Sequence, residues 1–219
     1  MRIGTWNLDG RWSGRHQRLL AEAECDVWLL TEVPEPLPSG GHLVTSDAMP
    51  STRAKSWAAV WSDQPIAEQP PIHPAAALAL CGDLLLCSCV LPWRGARPYW
   101  PDEGSTVAAM TLAALGRLGP SLISNEHAVV WGGDWNHAMT GREHAGSMEG
   151  RRAIEALVAT AGLVVTTIDA PHRIDGLLSI DHIAVPTRWA RAPCRRVVAE
   201  AKGARLSDHD AYVVEVERQ

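Results

Sequence analysis

Apolar residues recur along this chain in short strand-like runs, broken by clusters of Gly, Pro and charged side chains. A first strand covers about residues 2–8, and a second, Asp26-Val27-Trp28-Leu29-Leu30, ends at Glu32. Between them Leu19, Leu20 and Ala23 mark a helix. Pro34, Pro36 and Pro38 with Gly40 and Gly41 then force a loop. Trp57 to Trp61 reads as a strand, Pro65 to Pro74 as a break, and residues around 75–81 and 84–91 as a pair of strands. The segment 92–104 is too rich in Pro and Gly for a regular element, and its Trp, Tyr and Arg suit a loop that overhangs something. After it Ser105 is expected to cap a helix with Val107, Met110, Ala114, Leu115 and Leu118 at helical spacing. A buried strand at Val129-Val130-Trp131 leads into Gly132-Gly133-Asp134. A second amphipathic helix from about Gly150 turns Ile154, Leu157, Val158 and Ala161 inward and stops at Gly162. Strands follow near 163–168, 179–185, 195–200 and 211–217.

So many strands with about three helices do not make a parallel sheet with one helix per strand. Two sheets packed face to face, with helices covering the outside, fit better. No repeat, low-complexity segment or linker divides the 219 residues, which suits one domain over 1–219 with a sizeable core.

The ends of the predicted strands carry polar clusters: Trp6-Asn7, Thr31-Glu32-Val33, Gly133-Asp134-Trp135-Asn136, Ser179-Ile180-Asp181-His182-Ile183 and Ser207-Asp208-His209. Strand ends deliver side chains to one rim of a sheet, so distant segments can converge on one pocket. Glu32 closes a buried apolar run, where an unpaired carboxylate is costly and a bound cation removes the cost. Glu32 with Asp208 would give Mg2+ (or Mn2+) an oxygen shell. Asn7 and Asn136 each offer a donor and an acceptor, able to hold a phosphate oxygen or orient a carboxylate without adding charge. The glycines before Asp134 allow close backbone approach, and alternation would aim Asp134 and Asn136 the same way. His209 is the candidate general acid or base, with Asp181 on its other ring nitrogen.

These clusters, in this order, resemble the endonuclease/exonuclease/phosphatase superfamily, whose members include AP endonucleases and pancreatic-type deoxyribonucleases. The matching residues are Trp6-Asn7, Thr31-Glu32, Gly133-Asp134-Trp135-Asn136, Asp181 and Ser207-Asp208-His209, across nearly the whole chain. The resemblance implies an α/β fold of the α+β type, a four-layer α/β/β/α sandwich of two mixed sheets flanked by helices. It implies a divalent metal held by Glu32 and Asp208, with Asn7 as a ligand or an orienting group. Asp134 and Asn136 would position or activate the attacking water, and Asp181 would orient His209 at the scissile phosphate. One departure stands out. Where many members carry a His or Tyr before the covering loop, this chain has Val90, or at best Trp93 nearby. Arg94 or Arg97 could replace that group, with His137 as another candidate.

Charge and composition bear on the substrate. A net charge of −5 argues against a generally basic nucleic-acid coat, although a local groove could survive it. Trp12, Arg15, Trp93, Arg94, Arg97, Tyr99, Trp100 and Arg142 could line such a groove. A nucleic acid is the expected partner; a small phosphate ester or a non-catalytic phosphate-binding role are the alternatives. No segment reaches the length of a membrane span and no signal peptide precedes the first strand, so a cytoplasmic monomer is expected. Cys25, Cys81, Cys87, Cys89 and Cys194 show no metal or redox spacing and read as core thiols.

Overall fold

The computed structural model describes residues 1–35, 40–51, 53–101, 104–123 and 126–218. Two mixed sheets form its centre. The first contains β1 (Arg2–Asn7), β2 (Val27–Val33), β3 (His42–Thr45), β4 (Ser56–Ser62), β11 (Ala190–Arg191), β12 (Arg195–Val197) and β15 (Ala211–Glu217). Its order is β11-β15-β1-β2-β4-β3, with β12 also paired to β15. The second contains β5 (Ala67–Glu68), β6 (Ala76–Cys81), β7 (Leu84–Val90), β8 (Ala128–Asp134), β9 (Leu163–Val165) and β10 (Asp181–Pro186), in the order β5-β6-β7-β8-β10-β9. Among the described residues, only β1 with β2 and β7 with β8 pair in parallel. A small hairpin joins β13 (Glu200–Ala201) to β14 (Ala204–Arg205). The sheets face each other across Ile3, Leu29, Val60, Leu86, Val130 and Ile183, and the Ser88 hydroxyl donates to the Leu30 carbonyl between them.

Helices cover the outer faces. α1 (Gly14–Ala23) lies on the first sheet through Leu19, Leu20 and Ala23, against Trp6, Trp28 and Leu30. α2 (Val107–Leu122) and α3 (Met148–Thr160) cover the second through Met110, Leu118, Ile154 and Val158. The result is the four-layer α/β/β/α sandwich. Trp6, Trp28, Trp57, Trp131, Trp135 and Trp189 are fully buried, filling volume in a chain without Phe.

The expected elements stand with shifted ends. α2 is capped by Thr106 rather than Ser105, since the Thr106 hydroxyl accepts the Ala109 N–H. α3 starts at Met148 because Ser147 caps it by accepting from Gly150 N–H. Strands β3, β5, β11 and the β13–β14 hairpin are additional to the elements read from the sequence. They are short and largely exposed, and carry too little apolar pattern to register. Pro36 and Pro38 lie outside the described residues, as do Asp102 and Glu103 of the 92–104 loop. The five cysteines are free thiols, with Cys25, Cys87 and Cys89 buried.

Two glycines fix the approach of β8 to its neighbours. A Cβ on Gly132 would stand 2.4 Å from the His182 carbonyl oxygen of β10, and one on Gly133 would stand 2.2 Å from the Cys89 carbonyl oxygen of β7. Gly133 also has φ of +119°, outside the range of ordinary side chains. These contacts hold the end of β8 level with those of β7 and β10.

Candidate active site

The parallel pairs β1/β2 and β7/β8 run their C-terminal ends to one rim, and β10 begins there: Asp181 stands opposite Asp134, and Val90 beside it. Asn7, Glu32, Asp134, Asp181 and the Ser207–Asp210 turn therefore meet although they are distant in sequence.

Asn7 is the hub. It is buried, and its Nδ2 donates to Glu32 Oε1 at 3.1 Å and to Asp134 Oδ2 at 2.9 Å. Its Oδ1 accepts the Asp9 N–H at 2.9 Å. Both ends of the amide are thus engaged, which suits the orienting role of the two open to it. Glu32 interrupts the pairing of β2 with β4, between Thr31↔Ala58 and Val33↔Ser56, and has φ of 48°. A non-glycine residue there costs about 1–2 kcal/mol, and such strain collects where a side chain must be aimed. Asn136, at φ 52°, is a second case.

Asp134 and Asn136 are joined by a turn rather than by strand alternation. β8 ends at Asp134, whose Oδ1 accepts the Asn136 N–H at 3.0 Å. The Asn136 side chain then donates to the Leu91 carbonyl at 2.9 Å, binding the start of the 92–104 loop to the site. Burial, then the nearby Asp181 carboxylate, push the Asp134 carboxyl up to about 7, against the opposing influence of His209 and the Asn7 amide.

His209 Nδ1 lies 2.7 Å from Asp181 Oδ2, as the sequence pattern anticipates. Its Nε2 is 4.0 Å from both Asp134 Oδ2 and Asp208 Oδ1. Burial favours the neutral ring, but Asp181, then Asp134 and Asp208, outweigh it and raise the His209 pKa well above the ordinary value. The Asp181 backbone N–H is held by Ser179 Oγ, and its second carboxylate oxygen is buried with no hydrogen-bond partner.

Glu32 has its carboxyl pKa raised, first by burial and then by Asp208 and Asp9, with Asn7 opposing. Crowded, desolvated carboxylates are the arrangement a hard cation relieves, and an all-oxygen donor set suits Mg2+ or Mn2+. Asp208 supplies the most accessible of these carboxylates, with its side chain 57% exposed. Asp134, Asp181 and His209 also place ligand atoms within 4.8 Å of one another. The 2.7 Å contact makes the last two a hydrogen-bonded pair first.

Other expected residues fall less neatly. His137 is corrected: it is fully buried, its Nδ1 donates to the Trp135 carbonyl at 2.7 Å, and its ring fills space left by Gly146 and Gly150. It cannot reach a substrate phosphate. Trp100 is likewise a core residue, stacked on His73 and edge-on to Trp57, and not part of an open groove. Arg94 and Arg97 are exposed on the loop after β7. Arg94 Nε donates to the Gly146 carbonyl at 3.0 Å, and Trp93, half-buried, leans on Trp57. Val90 is buried, so β7 presents no polar group beside Asp134.

Asp9 was not visible as a site residue. It is buried, with Arg11 and Arg53 each 2.9 Å from its carboxylate, and burial followed by Asp208 raises its pKa. The available signal was Asp9-Gly10 directly after a strand. With φ of 50° and 60°, and Arg11 N–H on the Leu8 carbonyl, they form the turn that an Asp-Gly pair favours.

Solved structures share this architecture. An AP endonuclease from Archaeoglobus fulgidus matches with a TM-score of 0.72 at 18% identity, covering 100% of both chains. The 3′-5′ exonuclease NExo from Neisseria meningitidis gives 0.69 at 19%, again over 100% of both chains. A Neisseria NExo structure described as a 3′ phosphatase bound to product DNA hairpin gives 0.68 at 18%, with the same full coverage. No curated protein sequence matches. The model of the Endonuclease/Exonuclease/phosphatase family matches residues 4–209, which reach from β1 to His209. With the fold and the sequence model in agreement over nearly the whole chain, this protein belongs to the Endonuclease/Exonuclease/phosphatase family.

Proposed function

We propose that the protein is a divalent-metal-dependent phosphodiester hydrolase that cleaves DNA. The observation that carries the reading is the single hydrogen-bonded cluster in which Asn7 joins Glu32 to Asp134 while His209, held by Asp181, stands 4.0 Å from Asp134 and Asp208. Glu32 and Asp208 would hold Mg2+ or Mn2+, with Asn7 keeping Glu32 in place. A cation there would polarise the phosphoryl group and offset the charge that develops on it.

The remaining roles are assigned from the position and environment of each group. Asp134, its carboxyl pushed up to about 7 and its Oδ2 4.0 Å from His209 Nε2, would take the proton of the attacking water. Asn136 orients Asp134 through its backbone N–H. His209, whose pKa the surrounding carboxylates raise, would donate Nε2–H to a phosphate oxygen. Asp181 holds the ring and the charge in place. Arg94, Arg97 and Trp93, on the loop fastened to Asn136, are the groups that would meet the rest of the substrate.

DNA is favoured because relatives of the same fold include an AP endonuclease and a protein bound to a DNA hairpin. The test is nicking of supercoiled plasmid with Mg2+, Mn2+ or EDTA, beside His209→Ala. Metal-dependent nicking that disappears in the variant is expected. Absence of nicking, with hydrolysis of small phosphate esters instead, would overturn the substrate assignment. Absence of both activities and of any metal-induced thermal shift would overturn the enzyme reading itself.

A further inference from the structure

His209 is aimed by more than Asp181. The turn that carries it, Ser207-Asp208-His209-Asp210, has its peptide groups fixed from outside. Ser207 Oγ donates to the Asn7 carbonyl at 2.6 Å and accepts the His209 N–H at 3.0 Å. The larger share comes from Arg205. Its Nε donates to the Ser207 carbonyl at 3.1 Å, its Nη2 to the His209 carbonyl at 3.2 Å, and its Nη1 to Asp210 Oδ1 at 2.6 Å. One rigid, planar guanidinium thus spans the whole turn, a geometry that a lysine ammonium cannot reproduce.

The backbone presents Arg205 for this purpose. Lys202 and Gly203 both have positive φ, 53° and 73°, so the β13–β14 hairpin closes in a tight primed turn and returns Arg205 beside the catalytic turn. Glu200 stands opposite Arg205 in the hairpin register, yet the guanidinium is directed at residues 207–210.

The anchor is Asp210, whose side chain is 1% exposed. Besides Arg205 it accepts the Ala199 N–H at 2.9 Å, and Arg196 Nε makes an ion-pair contact with its Oδ2 at 3.3 Å. Arg196 extends the connection by donating Nη1 to the His172 carbonyl at 2.7 Å. His172 belongs to the loop that leads into Asp181, closed by Ser179 N–H on the Ala170 carbonyl. The Asp210 carboxylate therefore ties together the two segments that carry His209 and Asp181. Loss of Asp210 would release both arginines from the turn, while loss of Arg205 would leave the buried Asp210 carboxylate to Arg196 alone.

We infer that Arg205, anchored on Asp210, is a positioning residue that sets the aim of His209 towards the phosphate. The inference rests on the proposed catalytic role of His209, and its test keeps the two separable. Arg205→Gln in the full chain should lower kcat for plasmid or oligonucleotide cleavage by about tenfold to a hundredfold, the scale of a small misplacement of a catalytic group. KM should remain near wild type. Added to His209→Ala, the same substitution should cost nothing more, because the residue it positions is gone. Arg205→Lys, which keeps the charge on Asp210 but not the fork, should fold and fall between the two.

Proton–nitrogen NMR without metal reads the geometry directly. The Nδ1–H resonance of His209, assigned by its loss in His209→Ala, should shift or broaden in Arg205→Gln and partly recover in Arg205→Lys. An unchanged resonance, a loss confined to KM, or an equal loss in the His209→Ala background would overturn the inference. A wild-type protein inactive on every phosphodiester would sink the proposed function, while the NMR comparison would still decide whether Arg205 sets the His209–Asp181 contact.

Discussion

Asp181→Asn tests the core of the site most sharply, because the substitution keeps the shape and removes one charge. Asp181 is 1% exposed at its side chain and His209 14%, so water screens their 2.7 Å contact little. Coulomb's law at an effective dielectric of about 20 sets a ceiling of ~6 kcal/mol for the pair. An asparagine oxygen can still accept the Nδ1–H bond, so the loss is smaller. A charge-assisted hydrogen bond is worth about 1.5–3 kcal/mol net, roughly twice a neutral one. With the longer-range charge included, about 2–3 kcal/mol is the reasonable scale, equal to ~1.5–2 pKa units on His209 or a ~30- to 150-fold fall in kcat. The Asp134 pKa should fall as well: Asp181 is the largest charge raising it, so its carboxyl should become easier to ionise. Two measurements check this: kcat for cleavage with saturating Mg2+ or Mn2+, and NMR titration of His209 and Asp134 in EDTA. A kcat within about threefold of wild type, with an unmoved His209 titration, would refute the assigned roles.

Glu32→Gln should abolish the Mg2+- or Mn2+-induced rise in melting temperature, whereas His209→Ala should keep that rise and lose turnover. Burial raises the Glu32 pKa, so its folded-state advantage is present at low pH, as the acid, and is lost as pH rises through the folded value. In EDTA the variant should therefore gain on wild type more at pH 8 than at pH 5, read by thermal melts; an equal difference at both values would contradict the sign. Gly133→Ala forces a Cβ to 2.2 Å from the Cys89 carbonyl at φ +119°, and should cost ~3 kcal/mol or more, some 6–12 °C in melting temperature by calorimetry. Arg94→Gln or Arg97→Gln should each reduce the slope of log affinity for DNA against log salt by about one; a slope unchanged in both would remove the loop from the DNA interface.

The longer strands of both sheets, and the polar residues at their ends, are legible in the linear chain; the short exposed strands β3, β5 and β11 are not. Apolar runs of strand length that end in Asn7, Glu32 and Asp134, or begin at Asp181, make these legible, because a strand's side chains and its terminus are local consequences of its pattern. Gly132-Gly133 likewise announces a close approach before any neighbour is known. The pairing of His209 with Asp181 follows from residue type and is realised at 2.7 Å.

Contacts between distant segments set what local pattern does not encode. His137 follows Asn136 directly, yet the turn sends its ring into the space beside Gly146 and Gly150, because peptide geometry after φ 52° at Asn136 points neighbouring side chains apart. Whether Trp100 faces water or core depends on where Trp57 and His73 lie, which is a question of packing between distant segments. Asn7 reads as ligand or orienting group alike until its Nδ2 is placed between Glu32 and Asp134 and its Oδ1 on the Asp9 N–H. Asp9, Arg205 and Asp210 look like surface charges in a linear string. Their roles arise when long-range sheet pairing brings Arg53 to Asp9 and Arg196 to Asp210, contacts whose partners no local pattern specifies.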